Sequence, residues 1–475
     1  MELAEAERLE RVPRFGADVL RFGTAVLLVV ALNAVPVFIV PRRLSVEAFG
    51  EFRVFLLYIG YLGVLHFGVV DGAFLRWVGS PVSLLRREWP IVLKRLLILQ
   101  VPVLAVAGLA YAFATGLPRV YIIAFATCAV AANLAAFASF SLQAAGDFQG
   151  AGRVTALPTG LFATSVIALP LASLDSMLVA FVTAYAIAAA AGLGRLATVA
   201  SRTSIDEPPP ADLAPLSFRT FMITGLPVLG AGMATALAQY ADRILVSFAV
   251  PVAAFAFYGF ASSAMALSSV ARQTLSRVTL AHAARRVGAG RAEFLDGVYD
   301  LIAASFGIAI LGEPLFESVV GRVLPRYVDA VPIVRGLIVG ALFSVATPVV
   351  VLGTLQTYGN VRRQFLVSVI GTLFVGAGAA IALALGAPLW VVASAGSAGA
   401  LAAWAVGVVI THRVVSDARP ANAVRFFMTT AVQACGLAVA LWLASGWVAR
   451  TAIYVILAGV PTLVAARAAR EHWVG

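Results

Sequence analysis

The dominant pattern along the chain is a series of apolar runs of bilayer-crossing length, broken by short punctuation of charged residues, Pro and Gly. A crossing helix needs about 20 apolar residues, and runs of that length predict about fourteen spans. The first six lie at about 20–40, 54–74, 91–114, 120–142, 155–173 and 176–197. The other eight lie at about 220–249, 253–275, 298–319, 331–355, 365–386, 388–411, 424–445 and 448–466. Between the two series, Ser201–Leu216 carries Asp206, Glu207 and the run Pro208, Pro209, Pro210, the composition of a linker. The predicted architecture is an all-α integral membrane fold. An N-terminal lobe covers 1–200, a cytoplasmic linker 201–217, a C-terminal lobe 218–412, and two extra helices 413–475.

Charge sets the orientation. Cytoplasmic loops retain an excess of Lys and Arg. With the N-terminus inside, the inner loops gain Arg86, Arg87, Lys94, Arg95, Arg285, Arg286, Arg362 and Arg363, whereas Arg42, Arg43, Arg53, Arg322 and Arg326 fall outside. Both termini are then cytoplasmic. The stretch Met1–Phe22 mixes Arg8, Arg11, Arg14 and Arg21 with Glu2, Glu5, Glu7 and Glu10, which fits an uncleaved interfacial helix better than a signal peptide.

Composition narrows the function classes. The 475 residues are 61% hydrophobic and 12% charged, with a mean hydropathy of +0.96, against about 25% charged for a soluble domain. The spans leave no room for a soluble catalytic domain. The net charge of +11 is scattered through loops, whereas a nucleic-acid reader gathers it on one face, so no nucleic-acid partner is expected. Cys128 and Cys435 sit inside apolar segments as packing residues. There is no GxxxxGK, HExxH or GxSxG, and His66, His282, His412 and His472 are dispersed. No enzyme activity, metal or cofactor is expected.

A weak internal repeat runs through both series. Leu142, Gln143, Gly146 and Asp147 after the fourth span match Leu355, Gln356, Gly359 and Asn360 after the tenth. Val46, Ala48, Phe49 and Phe52, opening the second span, match Val252, Ala254, Phe255 and Tyr258, opening the eighth. Both pairings join span n to span n+6, so both copies enter the membrane from the same side. Such parallel repeats are a transporter arrangement, with a cavity between two lobes.

Ionised groups inside a span are costly and usually face a cavity or a partner. Asp242 and Arg243, with Gln239 and Tyr240 beside them, lie at depth in the seventh span. They read either as a cavity-lining site for a charged headgroup or coupling ion, or as a self-paired couple near the outer interface. Arg53 either grips phosphate oxygens in bidentate fashion or snorkels to outer headgroups. Asp71, a coupling candidate, lies five residues from Arg76, where an interfacial ion pair is the plainer reading. Glu313 and Glu317 share a helix face and read as solvent-exposed, with Glu313 kept as a proton-coupling candidate. His66 reads as a hydrogen-bonded packing residue. Pro36 and Pro227 occupy corresponding places in the two halves and are candidate hinges. Gly371, Gly376, Gly378, Gly396, Gly399 and Gly407 are expected to let helices pack closely.

The stretch Leu44–Arg76 resembles the first loop and second helix of polysaccharide-biosynthesis flippases of the Wzx type, in which an "lg..eFG.f" loop leads into a helix ending "fGl...l.R". Phe49 and Gly50 supply the first element, and Phe67, Gly68 and Arg76 the second. Gly225–Phe248 looks like the family's seventh helix, with Pro227 in its "glP" opening and Asp242 and Arg243 as its "Dr" pair. The family belongs to the multidrug/oligosaccharidyl-lipid/polysaccharide (MOP) exporter superfamily. The resemblance implies two six-helix lobes in a V around a cationic cavity, working by alternating access. The substrate implied is a polyprenyl-(di)phosphate-linked oligosaccharide for cell-surface polysaccharide such as O-antigen lipopolysaccharide. Its tail would stay in plasma-membrane lipid, with Arg53 and Arg243 on the phosphates. Asp242 would hold Arg243 or sense a coupling cation, H+ or Na+.

Two other classes compete. One is a cation-coupled exporter of multidrug or other small amphipathic molecules on the same fold. The other is a membrane-embedded glycan polymerase or ligase, disfavoured because the longest external segment, about Val320–Ala330, is short. A non-transporting scaffold would not need buried charge at repeat-equivalent helices.

Overall fold

The computed structural model describes residues 32–474 apart from 79, 116–118, 203–216, 266–288, 358–359 and 415–419. Among these residues every regular element is helical, as a bilayer core demands of an open chain that must satisfy its own backbone. Among the described residues eleven helices are long and apolar enough to cross a membrane, so this is a multi-pass membrane protein. The interfacial N-terminal segment, most of the linker, the start of the first predicted span and the end of the eighth lie outside the described residues.

In chain order the helices are α1 (32–43), α2 (Val46–Ile59), α3 (Val69–Trp77), α4 (Val82–Thr115), α5 (Arg119–Ala144), α6 (Phe148–Ala168) and α7 (Leu174–Ser201). They continue with α8 (Phe218–Ala249), α9 (Val252–Met265), α10 (Ala289–Val323), α11 (Val331–Ala346, extended through a π turn to Thr357), α12 (Val361–Ala384), α13 (Leu389–Val414), α14 (Pro420–Leu443) and α15 (Trp447–Val474). The chain forms two compact units. The N unit contains Leu32–Leu237 and Val250–Gly259, and the C unit contains Ala238–Ala249 and Phe260–Gly475.

In the N unit, Val69, Trp77, Leu85, Phe137, Leu142, Leu196 and Phe221 form one buried core. Phe52, Phe55, Phe162 and Phe181 form an aromatic cluster between α2, α6 and α7. The second span differs from the continuous helix that its apolar pattern predicts. Gly60 caps α2, a 3-10 turn covers Leu62–His66, and Phe67 (φ 47°) and Gly68 (φ 76°) are both left-handed before α3 begins. A left-handed non-glycine residue costs about 1–2 kcal/mol, so packing must impose it. The break lies where α8 crosses: a Cβ on Gly225 would stand within van der Waals overlap of the Gly68 carbonyl oxygen, so the two backbones touch. The carbonyl of Leu65, released by the break, accepts from Gln100 Nε2 of α4 at 3.0 Å. Gln100 Oε1 in turn accepts from Asn133 Nδ2 of α5 at 2.9 Å.

The internal repeat has a backbone counterpart. The Asp147 amide donates to the Leu142 carbonyl and the Asn360 amide to the Leu355 carbonyl, each at 2.9 Å. Asp147 and Asn360 then stand at the N-caps of α6 and α12 with nearly equal dihedrals, φ −84° and −87°. At the other matched position, Phe49, Phe52, Phe255 and Tyr258 are all buried.

In the C unit, α12 and α13 pack most intimately. A Cβ on Gly378 would stand 2.6 Å from the Ala395 carbonyl oxygen, and one on Gly399 would press equally hard on that of Phe374. Only glycine permits this approach. The pair α14 and α15 is fastened to α10 at three levels. Arg425 Nη2 donates to Asp300 at 2.6 Å, Gln433 Nε2 to the Ala303 carbonyl at 3.1 Å, and Tyr454 Oη to the Gly307 carbonyl at 3.1 Å. At the far end Arg450 donates to Glu317.

Candidate functional site

The last turns of α8, from Ala238 to Ala249, belong to the C unit and pack against α12 and α13. Small residues make this possible. Gly371 and Gly376 on α12 receive Ala238 and Ala241, while Gly396 on α13 leaves its place to the Asp242 side chain, whose Cβ would lie 3.5 Å from a Cβ there. The result is a hollow of about 70 Å³ lined by Gln239, Tyr240, Asp242, Arg243, Ser344 and Ser397 among apolar neighbours. That is room for a few water molecules or one partly hydrated ion, and far less than a sugar.

The hollow combines opposite chemistries. Asp242 is buried at 5% exposure. Arg243, its neighbour in sequence, points elsewhere, as consecutive helix positions must. Its guanidinium lies over the Tyr240 ring, 4.6 Å from the centroid, a cation–π seat that holds it in place. Arg243 Nε is buried without a hydrogen-bond partner. Ser397 Oγ donates to the Gly336 carbonyl at 2.6 Å and Ser344 Oγ to the Ala341 carbonyl at 2.8 Å. Their protons are thereby committed to the backbone, which leaves hydroxyl lone pairs as acceptors. The arrangement can hold a proton or small cation at Asp242, and it can present a positive group to an anion at Arg243.

The structure thus brings together Gln239, Tyr240, Asp242 and Arg243. The other candidates are not among the residues that line this hollow. Arg53 is in the N unit on α2, its stem laid across Gly259. Pro36 and Pro227 both sit inside helices, α1 and α8. Asp71 lies in the first turn of α3 with its Oδ2 3.8 Å from His66 Nδ1. That His66 nitrogen is buried without a hydrogen-bond partner, and the side chain as a whole is buried. Arg76 instead makes a bidentate contact with Glu88 of α4, at 2.8 and 2.7 Å, and Trp77 Nε1 donates to the same carboxylate at 2.9 Å.

Glu313 corrects an expectation. It is 2% exposed rather than solvated, because Arg335 of α11 reaches across to it. Arg335 Nε donates to Glu313 at 2.6 Å and its Nη2 to Glu317 at 2.9 Å. Arg335, Glu88 and Ser397 were silent in the sequence, since a partner on another helix leaves no spacing signal.

Asp242 and Arg243 thus line a small polar hollow in a multi-pass, all-helical fold. Comparison with solved structures identifies that fold. An inward closed conformation of the lipid II flippase MurJ aligns with a TM-score of 0.69 and 12% identity, covering 96% of this chain and 100% of that one. An inward-facing multidrug resistance MATE family transporter of the MOP superfamily aligns at 0.61 and 16% identity, covering 82% and 94%. A MOP superfamily transporter from Pyrococcus furiosus aligns at 0.54 and 14%, covering 85% and 95%. No family model and no curated protein matches the sequence. The fold is therefore MurJ- and MATE-like.

Proposed function

We propose that this protein is a transporter of the Wzx type that moves a polyprenyl-(di)phosphate-linked oligosaccharide across the plasma membrane by alternating access, with both termini cytoplasmic. The observation that carries this reading is the likeness to the MurJ fold over 96% of the chain, together with ionisable side chains kept inside its spans. Arg53 and Arg243 serve the substrate phosphates, and Asp242 takes the coupling cation, H+ or Na+. A hollow of about 70 Å³ suits an ion rather than a glycan, so the glycan would be held outside it.

The same ion-sized hollow and the MATE likeness favour a second reading, a cation-coupled exporter of small amphipathic molecules. Purified protein in proteoliposomes separates the two. Flipping of a polyprenyl-diphosphate glycan, lost in Arg243→Ala, supports the first. Dye efflux driven by a cation gradient with no glycan flipping overturns it.

A further inference from the structure

The second span carries two ionisable side chains to which the reading above gives no role. His66 closes the 3-10 turn and Asp71 lies in the first turn of α3, on either side of the left-handed step Phe67–Gly68. His66 Nδ1 and Asp71 Oδ2 face each other at 3.8 Å, with side chains 6% and 14% exposed. Neither atom has a hydrogen-bond partner. The separation exceeds a hydrogen bond, and a small approach would close it.

Among the described residues, the polar side chains packed nearby are engaged with other partners. From α4, Gln100 is taken up by the Leu65 carbonyl and Asn133, and Glu88 is taken up by Arg76 and Trp77. From α5, Asn133 offers an amide. From α8, Gly225 and Leu226 present backbone to Gly68, and the Phe221 ring lies under the Arg76 guanidinium. The nearby charges of Arg76 and Glu88 are thus matched with each other.

Resting on the transporter reading, we propose that His66 and Asp71 form a proton-binding pair built across the break in the second span, so that proton occupancy and the geometry of the break are linked. One proton taken from water turns a neutral imidazole beside a bare carboxylate into an Nδ1–H···Oδ2 ion pair of zero net charge. Such a charge-assisted bond is short and strong, and it draws the two sides of the step together. Release of the proton leaves a carboxylate inside the span without compensation, a state the membrane disfavours unless the break rearranges to hydrate it.

The chain has four histidines, so nitrogen-15 histidine NMR of the full chain in lipid nanodiscs reads His66 directly. The signal lost in His66→Gln assigns it. If that variant fails to fold, a triple variant with His282, His412 and His472 all changed to Gln leaves His66 alone. The expected result is a titration within about pH 4 to 9, with proton binding weakened about tenfold or more in Asp71→Asn, as loss of a charge at this distance implies. Hydrogen exchange over residues 59–72 should change across the same pH range in the parent and not in Asp71→Asn. A His66 signal flat with pH, a midpoint indifferent to Asp71→Asn, or exchange indifferent to pH each overturns the proposal. No transport substrate enters the measurement, so it can fail while the flippase reading stands, and the reverse.

Discussion

Replacing Arg335 with Leu isolates the cost of a stranded carboxylate in the C unit. Arg335 makes two charge-assisted contacts, but they are unequal. The Glu317 side chain is 33% exposed and keeps Arg450, so its loss belongs to the weak, screened class of about 0–1 kcal/mol. The Glu313 side chain has no exposure, and Arg335 Nε is the partner of its Oε1, while its Oε2 already lacks one. Removing one member of such a buried pair costs about 3–5 kcal/mol, so Arg335→Leu should lose about that much. The apolar double variant Glu313→Leu, Arg335→Leu should recover most of the loss, since an apolar pair of similar volume is often neutral or better. Unfolding of detergent-purified parent, both single variants and the double variant, followed by tryptophan fluorescence, gives the coupling energy directly. An Arg335→Leu protein as stable as the parent, or a double variant no better than the single, would refute the argument.

Three further outcomes follow from the N unit. Gly225→Val forces a Cβ into the Gly68 carbonyl and should cost at least the 1–3 kcal/mol usual for overpacking, visible as a lowered melting temperature. Glu88→Gln keeps an acceptor for Trp77 but strands the Arg76 charge, costing about 2 kcal/mol, and Glu88→Ala should cost more in the same melt. The hydrogen bond from Arg195 holds the Asp147 carboxyl below its ordinary value, so its ionised form favours folding. That contribution is present above about pH 4 and vanishes as pH falls through the folded-state value. Asp147→Asn should therefore lower stability at pH 7 by up to about 1 kcal/mol and match the parent in acid melts.

The spans were legible because lipid imposes one periodic requirement, about 20 apolar residues per crossing. The match between the Asp147 and Asn360 turns was legible because a repeated turn needs the same residue types twice, whereas their place as helix N-caps came only with the structure. Asp242 and Arg243 stood out because ionised residues are rare at depth. The break at Phe67 was hidden: Phe has no intrinsic preference for a left-handed conformation, and its cause is the approach of Gly225, more than a hundred residues away. The Glu313 and Arg335 contact was equally unreadable, since both residues look like ordinary helix-end charges until α10 and α11 are packed.

The fastening of α14 and α15 to α10 also sets an order for biogenesis. Arg425 is made 125 residues after Asp300, and Tyr454 147 residues after Gly307. While the ribosome works through that interval, α10 is already synthesised with its carboxylate and carbonyl still waiting for those donors. Its final seating in the bilayer can be completed only when the two late helices arrive.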